Sequence, residues 1–164
     1  MEILQIILAK YIMVYLLQSI ICVLAVCAIC KKKIEIKLFS LVTIIFFASA
    51  IIIRLLPIEF GVHTLFILIV LIILGITLLK TPIYKTVLSV LIVGVIILLT
   101  EILNGVFLGL VIGFENITEF SKNELNWSIA GIPANILFLF AVLFIYKLNT
   151  KPDNKENNNG EISS

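Results

Sequence analysis

Twenty consecutive residues, Phe60 to Leu79, contain no aspartate, glutamate, lysine or arginine. A helix that crosses the hydrocarbon core of a bilayer needs about 20 apolar residues and satisfies its own backbone without water. A transmembrane strand would alternate apolar with polar positions, and the run from Leu65 to Leu79 does not alternate. The whole chain has the same character: 62% of its residues are apolar and 13% are charged, and its mean hydropathy is +1.23. Water is therefore not its main solvent. The 164 residues leave room for about five spans, short connections and one tail. The predicted fold is all-α, a polytopic transmembrane helical bundle of about five helices embedded in the cell membrane.

The apolar runs place the spans at about 11–30, 38–56, 60–79, 86–108 and 128–148. Pro57 and Gly61 mark the turn between the second and third. The fourth run stays apolar as far as Phe114, longer than an upright span requires, so it either tilts or ends near Gly109 and lies along the interface. Residues 149–164 hold Lys151-Pro152-Asp153, an Asn157-Asn158-Asn159 run and two terminal serines. With almost nothing to bury, they read as a disordered cytoplasmic tail.

Direction follows from the lysines. Lys31, Lys32, Lys33 and Lys37 follow the first span, Lys80 and Lys85 the third, and Lys147, Lys151 and Lys155 the fifth, so nine of the twelve basic residues share one side. The other side has Lys10, Arg54 and Lys122 against Glu2, Glu59, Glu115, Glu119 and Glu124. The positive-inside rule makes the lysine-rich side cytoplasmic, with the N-terminus outside, the C-terminus inside and Trp127 at an interface. A cleaved signal peptide fits the first run less well, because the lysines come after the apolar stretch and Glu2 stands where a basic start is usual. Leu24-Ala25-Val26-Cys27 faintly resembles a lipoprotein cleavage box, but cleavage there would move the triple lysine outside.

Polar groups at bilayer depth need partners or a purpose, since charged types cost roughly 2.5 to 3.5 kcal/mol each on insertion scales. At about 1.5 Å per residue, Arg54 stands about 24 Å and Glu101 about 22 Å above the cytoplasmic starts of their spans, at the same level. Asn104 shares a helical face with Glu101. His63 opens the third span, and Gln18 and Asn135 descend from outside by about 10 to 12 Å. All five spans thus supply a polar group to the outer half, whereas the inner half has hydroxyls such as Thr43 but no amide or full charge. One reading is an outward-facing ligand cavity lined by Gln18, Arg54, His63, Glu101, Asn104 and Asn135. The other is structural: Arg54 and Glu101 pair, the amides tie helices together and His63 contacts headgroups. Gly131-Ile132-Pro133, two turns into the fifth predicted span, is either a kink that widens such a cavity or a tolerated proline.

Catalytic signatures are missing. No phosphate-cradling glycine loop and no kinase motif occurs, and one histidine cannot build a multi-histidine metal site. Cys27-Ala28-Ile29-Cys30 is a lone CxxC in an apolar helix, weak evidence for metal or redox work. Together with Cys22 these cysteines read as helix filler. Asn116-Ile117-Thr118 and Asn126-Trp127-Ser128 match the glycosylation pattern, which is common by chance. The sequence therefore predicts no catalytic residue, no metal, no cofactor and no nucleic-acid partner.

At Phe60-Gly61-Val62-His63-Thr64, and in the placement of Glu101 in the fourth span and Gly131-Ile132-Pro133 in the fifth, residues 1–148 resemble the N-terminal transmembrane sensor region of clostridial-type sensor histidine kinases with a GHKL-type ATP-binding domain. The resemblance implies a sensor-like membrane module. In that family a phosphoacceptor helix and the ATP-binding domain follow the last span. Here sixteen polar residues follow, and His63 is predicted outside, so kinase chemistry is not carried over. A separate histidine kinase or another membrane protein would be the partner, and a homodimer follows by the same analogy. The substrate-binding subunit of a multi-component transporter and a small membrane scaffold are the competing classes.

Overall fold

The computed structural model describes residues 14–56, 62–123, 126 and 129–149. Among them the regular structure is entirely helical, with no strand. The elements are α1 (Leu17–Ile29), α2 (Ile36–Leu55), α3 (Val62–Thr77), α4 (Ile83–Ile112), a 3-10 turn at Phe114–Asn116, the short α5 (Ile117–Lys122) and α6 (Ile132–Asn149). Three of them, α2, α4 and α6, are long and apolar enough to cross a membrane, and α1 and α3 are shorter apolar helices. The Pro57 and Gly61 turn, Trp127, the chain before Val14 and the tail beyond Asn149 lie outside the described residues.

Apolar side chains cover the outside of the bundle as well as its core. Ile44, Ile52, Leu98, Phe140 and Phe144 are all more than half exposed. A soluble helix would put polar residues on that face, so the pattern is that of helices solvated by lipid.

The most enclosed element is α1. Eight of its thirteen residues are buried, against four of twenty on α2, because α2, α4 and α6 all pack against it. Small side chains let those neighbours approach closely: Ser19, Cys22, Ala25, Cys27 and Ala28 are all buried. Cys22 and Cys27 are thus core-filling thiols, joined in the core by Phe46 from α2, Leu71 from α3, Val93 from α4 and Phe138 from α6.

Helices α1 and α6 run in the same direction. Asn135 near the start of α6 donates to the Val14 carbonyl (3.1 Å), and Asn149 at its end donates to the Ala28 carbonyl (3.1 Å). A hydrogen bond between Cys30 and Ser89 (3.4 Å) brings the end of α1 to the start of α4. Lys31 to Lys33, Lys80, Lys85 and Lys147 therefore gather at one end of the bundle.

Lysines also terminate helices at that end. Lys31 and Lys80 adopt left-handed φ of 52° and 53°, positions usually given to glycine. Around Lys31, the Lys32 amide bonds the Cys27 carbonyl (2.9 Å), and around Lys80 the Thr81 amide bonds the Gly75 carbonyl (3.1 Å). Glycine would be less strained, but a lysine puts positive charge where the helix dipole is negative. At its far end α2 stops with Leu56 extended (ψ 141°), as the residue before a proline prefers.

The α3–α4 turn is closed by hydroxyls. Thr81 Oγ1 and Thr86 Oγ1 lie 2.6 Å apart, and they sit 2.7 Å from the Gly75 carbonyl and 3.0 Å from the Pro82 carbonyl respectively. Ser89 donates to the Thr86 carbonyl (2.9 Å). Thr86 is fully buried, and its methyl would stand 2.5 Å from a Cβ placed on Gly75.

Helix α4 has 30 residues and, at 1.5 Å per residue, is about 45 Å long. It continues past Gly109 to Ile112 without interruption, then turns at Gly113 (φ 85°), whose amide bonds the Gly109 carbonyl (3.0 Å). The Phe114 ring folds back onto Gly109, filling the space a side chain there would need. A hydrocarbon core is about 30 Å thick, so the last turns of α4 exceed what an upright span requires.

The pinned Thr86 methyl makes Gly75 a test of this packing. Gly75→Ala gains up to about 1 kcal/mol of helix propensity, whereas a clash with a side chain held by two hydroxyl contacts costs about 1 to 3 kcal/mol. The expected outcome is a lower thermal midpoint in detergent, restored by adding Thr86→Ser, which removes the methyl and keeps the hydroxyl. Equal midpoints for Gly75→Ala and wild type would show that the turn yields freely.

Candidate functional site

Away from the lysine-rich end, α1 to α4 surround a cavity of about 40 Å³. Its polar wall is built from Tyr15, Gln18 and Ser19 on the first helix, Arg54 on α2, Thr64 on α3 and Glu101 on α4. Its floor is apolar, with Cys22, Phe46, Leu71 and Ile97. A space of this size holds a few waters or a small group, since one water needs roughly 10 to 15 Å³ on the same measure.

Local structure explains how the polar groups come to face one another. Residues 14–16 form a π turn leading into α1, a widened turn that is frequent at functional sites. There the Ser19 hydroxyl donates to the Tyr15 carbonyl (2.7 Å). Tyr15 and Gln18, three positions apart, share a helical face. The Arg54 guanidinium lies over the Tyr15 ring, 4.1 Å from its centroid, and its Nη2 donates to Gln18 Oε1 at a long 3.4 Å. Among the described residues this is its one hydrogen bond, so most of its five N–H donors are uncommitted. Glu101 has no hydrogen-bond or ion-pair partner there. Arg54 and Glu101 are both exposed, so the cavity is open on their side.

Of the six residues singled out by depth in the sequence, Gln18, Arg54 and Glu101 meet at this cavity. Arg54 and Glu101 are not in direct ion-pair contact, contrary to the structural alternative, because the guanidinium is drawn to Tyr15 and Gln18. The other three tie the structure together. His63 Nδ1 bonds the Ile53 carbonyl (2.9 Å), joining the start of α3 to the last turn of α2. Asn104 donates to the Ala130 carbonyl (2.8 Å) and Asn135 to the Val14 carbonyl.

The Ala130 bond also locates the proline. Residues 129–130 are helical, Gly131 is a turn, and α6 starts at Ile132. Pro133 thus lies in the first turn of α6, where its missing N–H is no loss, rather than two turns into a continuous span. The helix breaks at Gly131, and Asn104 takes up a carbonyl beside the break. Tyr15, Ser19 and Thr64 are polar cavity residues that sequence reasoning missed, although the spacing of Tyr15 from Gln18 was a usable signal.

No protein-family model matches the chain, and no curated protein or solved structure matches it either.

The two groups of polar residues differ in what their removal does to stability. Asn135→Leu loses a helix-to-helix bond and is expected to cost about 0.6 to 2 kcal/mol, measured as a lower thermal midpoint in detergent. Glu101→Gln removes a charge that makes no hydrogen bond or ion pair among the described residues, and is expected to change stability by no more than about 0.5 kcal/mol in either direction. A large loss from Glu101→Gln would mean that Glu101 is a structural residue.

Proposed function

We infer that this protein is a multi-pass cell-membrane module of five membrane helices, with the N-terminus outside and the C-terminus in the cytoplasm, that receives a ligand in an outward-facing cavity and performs no chemistry of its own. The observation that carries this reading is the cavity, where a guanidinium with spare donors and a carboxylate with no hydrogen bond or ion pair among the described residues line shared space. An ionisable group within a membrane helix is a functional group by default. The orientation rests on the gathered lysines and on the parallel course of α1 and α6, which an odd number of spans requires. The resemblance to a histidine-kinase sensor region supplies the output: a signal passed to a separate kinase or another membrane protein, from a monomer or a homodimer.

The transporter alternative is less well supported by the packing. Below the floor residues the core is closed by Val26, Val42, Val93 and Phe138, and beyond it the hydroxyl turn seals the lysine-rich end. A cavity with a packed core beneath its floor suits reception rather than passage.

Two measurements test the reading. In a variant with Cys30→Ser, Glu115→Cys is expected to react with an impermeant maleimide in intact cells and Lys33→Cys only after permeabilisation. The reverse pattern would overturn the orientation. Affinity purification through a tag at Ser164 is expected to bring down a histidine kinase, whereas a co-purifying ATPase pair would move the protein to the transporter class.

A further inference from the structure

The ligand class can be read from the charges of the cavity, given the outward-facing reading above. Arg54 and Glu101 carry opposite charges, face the same space, and are not in contact. Charges of opposite sign in a medium of low dielectric attract strongly, and the guanidinium is kept from the carboxylate by its seat on Tyr15. What is left between them is a slot with a hydrogen-bond donor on one wall and an acceptor on the other.

We propose that this slot binds a small amphipathic zwitterion, with its oxyanion on Arg54, its ammonium on Glu101 and its apolar part toward Phe46, Leu71 and Ile97. A simple anion would satisfy Arg54 but be repelled by Glu101, and a simple cation would meet the opposite difficulty. A molecule carrying both charges satisfies both walls. Arg54 can hold a carboxylate or phosphate by two parallel N–H bonds, and the Gln18 amide beside it offers further hydrogen bonding. The apolar floor takes a small alkyl group, because the enclosed volume is about 40 Å³. Arg54 and Glu101 are exposed, which leaves space for the rest of the molecule outside the enclosed volume. Two sources share this chemistry: a free amino acid with an aliphatic side chain, and the headgroup of phosphatidylethanolamine.

The test uses the full chain in nanodiscs of phosphatidylglycerol, which contain no zwitterionic lipid. L-Leucine and dihexanoyl phosphatidylethanolamine are titrated and binding is read by calorimetry, with 4-methylpentanoate, leucinamide and dihexanoyl phosphatidylglycerol as analogues that carry a single charge. Saturable binding of one zwitterion is expected, at least about tenfold tighter than its singly charged analogue, with Arg54→Gln and Glu101→Gln each weakening it about tenfold or more. Leucine binding alone identifies the free source, and lipid binding alone identifies the headgroup. No binding of either zwitterion, or binding indifferent to both substitutions, overturns the proposal. Thr64→Cys, at an exposed residue that lines the cavity, in a chain without its three native cysteines, separates the two levels of inference. If it reacts with an impermeant thiosulfonate from outside while neither zwitterion binds, the ligand class is wrong and the outward cavity stands. If it does not react, the outward cavity fails as well.

Discussion

A helix packed on several sides has to carry small side chains wherever a neighbour crosses it, and in this bundle that condition falls on α1. Its serine, cysteines and alanines let α2, α4 and α6 come close. In lipid no hydrophobic force drives helices together, so close contact and a few hydrogen bonds are what holds them. The amide bonds from Asn135 and Asn149 fix α6 against α1 at two levels. With α1 held in this way, its first turns present Tyr15 and Gln18 to α2, and Arg54 is captured there. The cavity therefore depends on the central helix, although most of its charge comes from α2 and α4.

Level along the bundle was legible in the sequence for Arg54 and Glu101, and rotation about the helix axis was not. Rise per residue is constant, so counting from the lysine boundaries placed Arg54 and Glu101 at one level, and both line one cavity. The same count put His63, Asn104 and Asn135 in the same layer, but their faces turn toward backbone carbonyls on neighbouring segments instead. Rotation is normally read from an apolar stripe opposite a polar one. Here lipid-facing and core-facing positions are equally apolar, and Ile52 (63% exposed) cannot be told from Val42 (0% exposed) by composition. The central place of α1 was hidden for the same reason, its small residues being the one available sign.

Helix ends were legible only where the chemistry was local. Pro57 accounts for the extended Leu56, and the lysines after the first and third runs sit at or just past helix ends. The break before Pro133 was harder to foresee. A proline inside an apolar run can be tolerated, can kink a helix or can start one, and the choice depends on whether a distant group takes up the freed backbone. Asn104, on another helix, bonds the Ala130 carbonyl next to the break. A contact across 26 residues leaves no trace in the local pattern.

The two ends of the bundle differ in how completely their polar groups are satisfied. At the lysine-rich end, Thr81, Thr86, Ser89 and Cys30 share hydrogen bonds with one another and with carbonyls of the same turn. The hydroxyls of that turn are all bonded, whereas Thr43 Oγ1, two turns into α2 from the same end, is buried with no partner among the described residues. At the other end a guanidinium and a carboxylate stand within the helical region, and among the described residues the two share one long hydrogen bond, from Arg54 to Gln18, and one ring contact, on Tyr15. A structural pair would bring the two into contact; a lipid-facing surface would have neither. Their persistence as separated charges around open space fits a site whose partner arrives from solution or from the surrounding lipid.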